Sequence, residues 1–430
     1  VRRVAVTGIG LVTALGVGTD ETWQAVVAGK SAVDQLRGFD ASTLDARLGA
    51  EIAGFDPAPY VAQRRALRNM TRNDQLAVAG AALAVRDAGL DPVAGTSLDP
   101  DRLGLFIGGN KEISEPSKVL DAVLLARNED GTADVRRMGT EGAAQFYPLF
   151  YVEGLQAAAL FYISQAHHLR GANTYFAGTG DVGGTAVGRA FRAVRRGEAT
   201  VAVAGGFDDP TSWWSMTKLD PLGLLTPSND LGAAACRPYD RAHDGTVMGE
   251  GAAFVVLEDL EAARRRGATV YAEVCGFGAG FDSGVLGEPS RSGRGLAHAI
   301  RAALDEAGAD PADVDYVATD GTATPDGDAG EAAALRDALG AAAATVAAST
   351  VKPAVGNLVA GAGALNVAVA ALASHHATVP PTLNLTDVDP ACAGIDWVPR
   401  EARRIPVGHA LALCRGMEGQ NVAIALRAPR

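Results

Sequence analysis

The sequence predicts a duplicated α/β fold, and three observations carry that prediction. Apolar strand-like runs alternate with helix-like segments along the whole chain, the pattern of sheets joined by crossover helices. The order of these segments is similar in residues 1–255 and 256–430, so the halves read as repeats of one unit. Several strand-like runs close on paired glycines, such as Gly108-Gly109 and Gly205-Gly206, which suit tight turns at strand ends. The chain has 430 residues and is 48% hydrophobic, enough for a large core.

In the first half, Val4 to Thr7 is a buried-strand run that ends in Gly8-Ile9-Gly10. Glu21 to Ala28 and the Ala-rich stretch Asp74 to Ala88 have helical spacing. Leu103 to Ile107 reads as a buried strand. Asn110 to Ala144 is polar and is expected as an irregular insertion within a span of 110–150. Phe146 to Ala166 is apolar and aromatic, and predicts one buried helix after Pro148. Gly171 to Ala190 reads as strand, glycine-dense turn and helix. Thr200 to Ala204 and Ala252 to Leu257 are further strands. The second half repeats the scheme. Its strands are Val270 to Cys275, Val314 to Ala318, Thr345 to Ser349, His409 to Leu413 and Asn421 to Leu426. Its helices are Gly295 to Ala307, Gly330 to Leu339 and Gly361 to Ser374.

A net charge of −12 without a basic stripe argues against nucleic-acid binding. No apolar run reaches the ~18 residues of a membrane span. Cys236, Cys275, Cys392 and Cys414 form no CxxC pair and no metal spacing, which suits reduced thiols and a cytoplasmic location. Gly178-Thr-Gly180-Asp-Val-Gly183 matches GxGxxG, but the nearest acidic residue, Glu198, sits in a polar turn and not at a strand end. Close helix packing explains these glycines better than a dinucleotide. The adjacent pairs His167-His168 and His375-His376 point about 100° apart on a helix and cannot chelate one ion. Asp315, Asp320, Asp326 and Asp328 do not follow the spacing of a calcium loop and read as turn residues. No cofactor and no metal is expected.

Five stretches together resemble the β-ketoacyl synthase family, which has the thiolase fold of layered αβαβα type. They are VAVTGIGLVTALG at the start, Arg237–Glu258, Asp320–Glu331, Ser349–Asn366 and Cys414–Leu426. In that family a Cys at the strand-turn-helix attacks an acyl thioester, and two His residues assist decarboxylation and oxyanion stabilisation. The chemistry needs a thiolate of low pKa and donors where enolate charge develops. The resemblance places the Cys position at Gly180, the first His at Asp320 and the second at Asn357, while the motif Lys is kept as Lys352. A carboxylate at 320 repels an incoming oxyanion by roughly 4 kcal/mol at about 4 Å for an effective dielectric near 20, and it can pair with Lys352 instead. Asn357 can donate a hydrogen bond but cannot shuttle a proton at neutral pH. The family's closing G-F-G-G is Gly416-Met417-Glu418-Gly419 here, with Met417 as a candidate cover and Glu418 either occluding the tunnel or facing solvent.

The resemblance then implies a chain-length factor, the ketosynthase β subunit of type II polyketide synthases, which lacks the Cys and pairs with an active α subunit. It implies no catalytic residue of its own, a heterodimer with a ketosynthase or a homodimer with itself, and an acyl carrier protein as partner. Tunnel candidates by position are Ser114, Ser117 and Asp121, with Phe150 in the aromatic run Phe146 to Val152. Chain-length factors usually carry Gln where this chain has Gly180, so the role of that Gln is not carried over. The alternative is a remodelled enzyme that acts on carrier thioesters through Asp320, Asn357 and Lys352.

Overall fold

The computed structural model describes residues 2–90, 98–110, 116–283 and 290–429. Eleven strands form the main sheet path: β1 (Val4–Thr13), β2 (Leu103–Gly109), β3 (Asn173–Ala177), β4 (Val201–Asp208), β5 (Gly251–Asp259), β6 (Ala272–Phe281), β7 (Tyr316–Ala318), β8 (Ala347–Ser349), β9 (Asp396–Trp397), β10 (His409–Arg415) and β11 (Gln420–Arg427). The principal helices are α1 (Thr19–Val27), α2 (Arg72–Asp87), α3 (Pro116–Leu125), α4 (Ala158–His167), α5 (Val182–Arg196), α6 (Arg294–Ala307), α7 (Pro325–Leu339) and α8 (Ala362–His376).

The strand order is β9-β8-β7-β10-β11-β6-β1-β5-β4-β2-β3. Outward from the centre, the first set runs β1, β5, β4, β2, β3 and the second runs β6, β11, β10, β7, β8. Both follow the order first, fifth, fourth, second, third. The central strands pair antiparallel, and the outer strands of each set pair parallel. The sets join through the antiparallel pairing of Val4–Val6 with Ala272–Val274. The expected division after residue 255 falls inside β5, which continues to Asp259.

Local chemistry sets the helices. Thr71 and Asp74 form a reciprocal capping box at the start of α2, and Ala, Leu and Val bury its inner face against β1, β5 and β4. α5 packs on β4 and β2 and ends at Gly197, whose φ of 78° supplies the left-handed cap. α8 is buried from Ala362 through Ala373, so no side of it faces water. It lies against α5 and against strands of both sets. The layers are therefore helix, sheet, the α5 and α8 pair, sheet, helix, with α6 on β6 and β11 and α7 beside it.

Two expected elements need correction. Residues 146–166 are not one buried helix. A short turn of helix (Phe150–Glu153) and α4 are separated at Gly154, and Tyr151 and Phe161 are 79% and 61% exposed. Only Ala159, Tyr162 and Ile163 of α4 are buried, because one face is all that α2 can cover. The segment after Asn110 is not irregular throughout, since residues 116–125 form α3, which turns Leu120, Val123 and Leu124 to the surface. Among the described residues, β3 pairs with β2 alone and leaves its other edge unpaired. No described helix is long and apolar enough to cross a membrane.

The glycines of the GxGxxG match serve close packing. A Cβ at Gly183 meets the Ala360 carbonyl oxygen at 2.7 Å and the Ala364 amide nitrogen at 2.9 Å, both backbone atoms that cannot step aside. Gly183→Ala is therefore expected to destabilise the fold by ~1–3 kcal/mol in urea unfolding, despite the helix preference of Ala. Unchanged stability contradicts this packing.

Candidate functional site

Gly180 sits in the turn that feeds α5, directly after β3. Its place is set by the hairpin between β10 and β11. A Cβ built on Gly180 overlaps the carbonyl oxygen of Arg415, the last residue of β10. The closing hairpin is fastened to the same turn by side chains. Thr179 Oγ1 donates to Glu418 Oε2 at 2.6 Å and accepts from the Met417 amide at 2.8 Å. Glu418 is thus half-buried and tied to the turn by Thr179. Asp181, next in the turn, is 6% exposed, and its Oδ1 has no hydrogen-bond partner among the described residues. Burial pushes the Asp181 carboxyl up to about 6, and the Glu418 charge adds to the shift.

Asp320 and Lys352 follow the C-terminal ends of the parallel neighbours β7 and β8, the end of an α/β sheet where functional groups gather. Lys352 Nζ donates to Asp320 Oδ1 and to the Asp320 carbonyl oxygen, each at 2.5 Å. Both side chains are buried, at 5% and 2% exposure. Behind them Glu331 receives the Asp320 amide at 2.7 Å, the Gly321 amide at 2.8 Å and the Tyr239 hydroxyl at 2.8 Å. Burial raises the Glu331 carboxyl, and the Asp320 charge raises it further. Asn357 lies beside the pair, its Oδ1 receiving the Val359 amide at 3.0 Å. The other aspartates of the acidic group have structural partners. Asp328 binds the Tyr239 amide and His243 Nδ1, Asp315 the Gly408 amide, and Asp326 the guanidinium of Arg291.

Gly180, Asp320, Lys352 and Asn357 face one cavity of ≈ 30 Å³, with Arg415 and Met417 on its wall. That is room for about one water molecule. No cysteine, serine or histidine is among its lining residues. Cys414 is fully buried with its Sγ against Gly184 and Gly363, and burial holds its thiol far above the ordinary range. Met417 also packs toward Met216 and Met248. The other described tunnel candidates are not among the residues lining this cavity. Ser117 and Asp121 are exposed on α3. Phe150 stacks on Phe146 with ring centroids 4.5 Å apart. Ser114 lies outside the described residues. His376 stacks on Trp23 and His375 lies against Tyr271. Among the described residues no group of His, Cys, Asp and Glu is placed to hold a metal.

Sequence reasoning missed Arg415, Thr246 and the Thr179 to Glu418 latch. Arg415 had one available signal, a charged residue closing the apolar run HALALC. The latch joins positions 239 apart and leaves no local mark.

Two outcomes follow from this geometry. Lys352→Met leaves a carboxylate buried without its cation and is expected to lower stability by ~3–5 kcal/mol, much of it recovered in Lys352→Met with Asp320→Asn, as read by denaturant unfolding. Equal stability of wild type and Lys352→Met contradicts the pairing. The folded Asp181 binds its proton up to about 6, against 3.8 when unperturbed. Its favourable contribution is complete below the lower value and is lost as pH rises through the upper one. Wild type should therefore lose stability relative to Asp181→Asn between about pH 4 and 6, and parallel pH profiles contradict this assignment.

The family patterns of known proteins match this chain in two consecutive blocks: the beta-ketoacyl synthase N-terminal domain over residues 1–263 and its C-terminal domain over residues 271–386. A Streptomyces violaceoruber protein named as a candidate granaticin polyketide beta-ketoacyl synthase 1 is 36% identical over 100% of this chain and 99% of its own length. The 3-oxoacyl-(acyl-carrier-protein) synthase 2 of Coxiella burnetii is 33% identical over 99% of this chain and 98% of its own. The solved ishigamide ketosynthase/chain length factor superposes with a TM-score of 0.86 at 28% identity, covering 100% of both chains. With its thiolase fold, its strand order and both halves matched in sequence, the chain belongs to the β-ketoacyl synthase family.

Proposed function

We propose that this chain is a non-catalytic, chain-length-factor-type subunit of a type II polyketide synthase, paired with an active ketosynthase whose acyl tunnel it helps to wall. The observation that carries the reading is the contact at Gly180. The position of the family's nucleophile has no side chain, and the Arg415 carbonyl fills the place where one would begin. Asp320 replaces an imidazole with a carboxylate already neutralised by Lys352. Neither group can form an acyl-enzyme or donate to a developing enolate.

The outer surface supports a partner. Leu124, Tyr151 and Phe161 are 53%, 79% and 61% exposed on one connected stretch of chain, and β3 offers an unpaired sheet edge. Apolar patches of this kind mark protein interfaces, and a second sheet edge satisfies backbone groups left free among the described residues. Arg64, Arg65 and Arg68 are exposed on one short helical turn and give an otherwise acidic chain a basic spot for an acidic acyl carrier protein.

The test is expression of the chain alone and together with an active type II ketosynthase α subunit, followed by oligomeric state and malonyl-dependent elongation. The expected result is elongation only by the pair, recovered as a heterodimer. Phe161→Asp should weaken that pairing at least ~10-fold while changing the stability of the isolated chain by no more than ~0.5 kcal/mol. Elongation by the isolated chain favours the remodelled enzyme built on Asp320, Asn357 and Lys352, and rejects the proposal.

A further inference from the structure

His243 is buried, and carboxylates face both of its ring nitrogens. Nδ1 lies 2.8 Å from Asp328 Oδ2 in the first turn of α7, and Nε2 lies 3.6 Å from Asp389 Oδ2 in the loop before β9. A carboxylate offers only acceptors, so Nδ1 carries a proton. In the neutral ring Nε2 then turns a lone pair toward Asp389, and a second proton replaces that repulsion with attraction. A third carboxylate, Asp240 on the segment of His243 itself, adds to the negative field while receiving the amides of Thr386 and Asp387. The cations on these elements are engaged elsewhere. Arg241 pairs with Asp387, Arg237 donates to the Ala234 carbonyl, and Arg336 of α7 donates to the carbonyls of Ala391 and Ala393. Of the remaining anions, Asp244 receives the hydroxyls of Thr226 and Ser228, and Glu331 receives the Asp320 and Gly321 amides beside the Arg415 charge. Among the described residues, His243 is the one ionic partner of both Asp328 and Asp389.

What His243 holds reaches the cavity wall. Asp328 also receives the amides of Tyr239 at 2.7 Å and Ala323 at 3.0 Å. Ala323 has a φ of 60°, uncommon for a residue with a Cβ, and its carbonyl receives the Gly245 amide at 3.0 Å. It stands between Thr322 and Thr324, which both line the cavity at Gly180. On the other side, the Asp389 amide donates to the Tyr239 carbonyl at 2.8 Å, and its carboxylate receives the Ala391 amide at 2.6 Å. We propose that His243, Asp328 and Asp389 form a proton-operated clasp. The doubly protonated imidazole ties the 384–392 loop to α7 and steadies the 320–324 turn, and loss of the Nε2 proton releases the Asp389 arm. Burial lowers the proton affinity of His243, but the Asp328 hydrogen bond and the charges of Asp328, Asp389 and Asp240 outweigh it and hold the imidazole above its ordinary value of 6.5. The contribution of the clasp is therefore complete below 6.5 and is lost as pH rises through the folded value. This goes beyond the subunit reading and stands whether or not a ketosynthase partner is found.

The test uses the whole chain with its histidines carbon-13 labelled at Cε1 and follows each imidazole by NMR as pH is raised, with His243 assigned from the His243→Gln spectrum. Expected is a His243 midpoint above 6.5 that falls in Asp389→Asn, whose amide oxygen can still receive the Ala391 amide. Amide hydrogen exchange, corrected for its intrinsic pH dependence, is read on the same two proteins. In wild type it should quicken about tenfold over residues 384–392 and 320–324 as pH rises through that midpoint, the factor that one unit of pKa displacement supplies. In Asp389→Asn the corrected exchange should no longer follow the midpoint. A His243 midpoint at or below 6.5, or one that Asp389→Asn leaves unmoved, overturns the proposal. So does wild-type exchange in these segments that stays level across the titration. Should His243→Gln fail to fold, the exchange profiles of wild type and Asp389→Asn decide alone.

Discussion

The close approach of two backbones at Gly180 is the constraint on which the rest of this molecule depends. The turn before α5 would ordinarily present a side chain at a helix N-terminus, where the positive end of the helix dipole favours an anionic nucleophile. Here the β10 carbonyl of Arg415 occupies that direction. Thr179 then fastens the hairpin through Glu418 and the Met417 amide, and the hairpin becomes a lid attached to the turn. Glycine at 180 is thus a requirement of packing.

The second adjustment follows from the first. On the proposed non-catalytic reading, with no thiolate or enolate to serve, the strand ends at β7 and β8 need no imidazole. Asp320 and Lys352 form an internally neutral pair there, with Glu331 bracing the loop through two amides. A buried ion pair is a weak source of stability, but removing either partner is severe. The pair therefore fixes the loop geometry more than it deepens the energy well. Arg415, the Asp320–Lys352 pair and the threonines at 246, 322 and 324 make the chamber a polar pocket.

The fold was legible in the sequence to a large extent, because its signals are local. Alternating strand and helix patterns and the paired glycines at strand ends all act within a few residues. The resemblance singled out positions 180, 320, 352 and 357 from short motifs, and the structure places all four around one cavity. What those positions touch was not legible. The Arg415 carbonyl reaches Gly180 from 235 positions away, and the Glu418 carboxylate reaches Thr179 from 239. The aromatic run from Phe146 was misjudged for a related reason. Apolar periodicity tells that a face seeks cover, but not whether that cover comes from the same chain. Tyr151 and Phe161 are apolar and exposed because α2 has no area left for them.

The molecule thus has a closed interior and an unfinished exterior: a sheet edge and an apolar stretch suited to a second subunit, around a centre that has been filled in. The most direct measurement of that central claim is intact-protein mass spectrometry of the isolated chain after incubation with acyl- and malonyl-carrier thioesters. The account predicts an unchanged mass at every time point. A stable mass increase equal to one acyl group, mapped to any side chain facing the cavity, contradicts it.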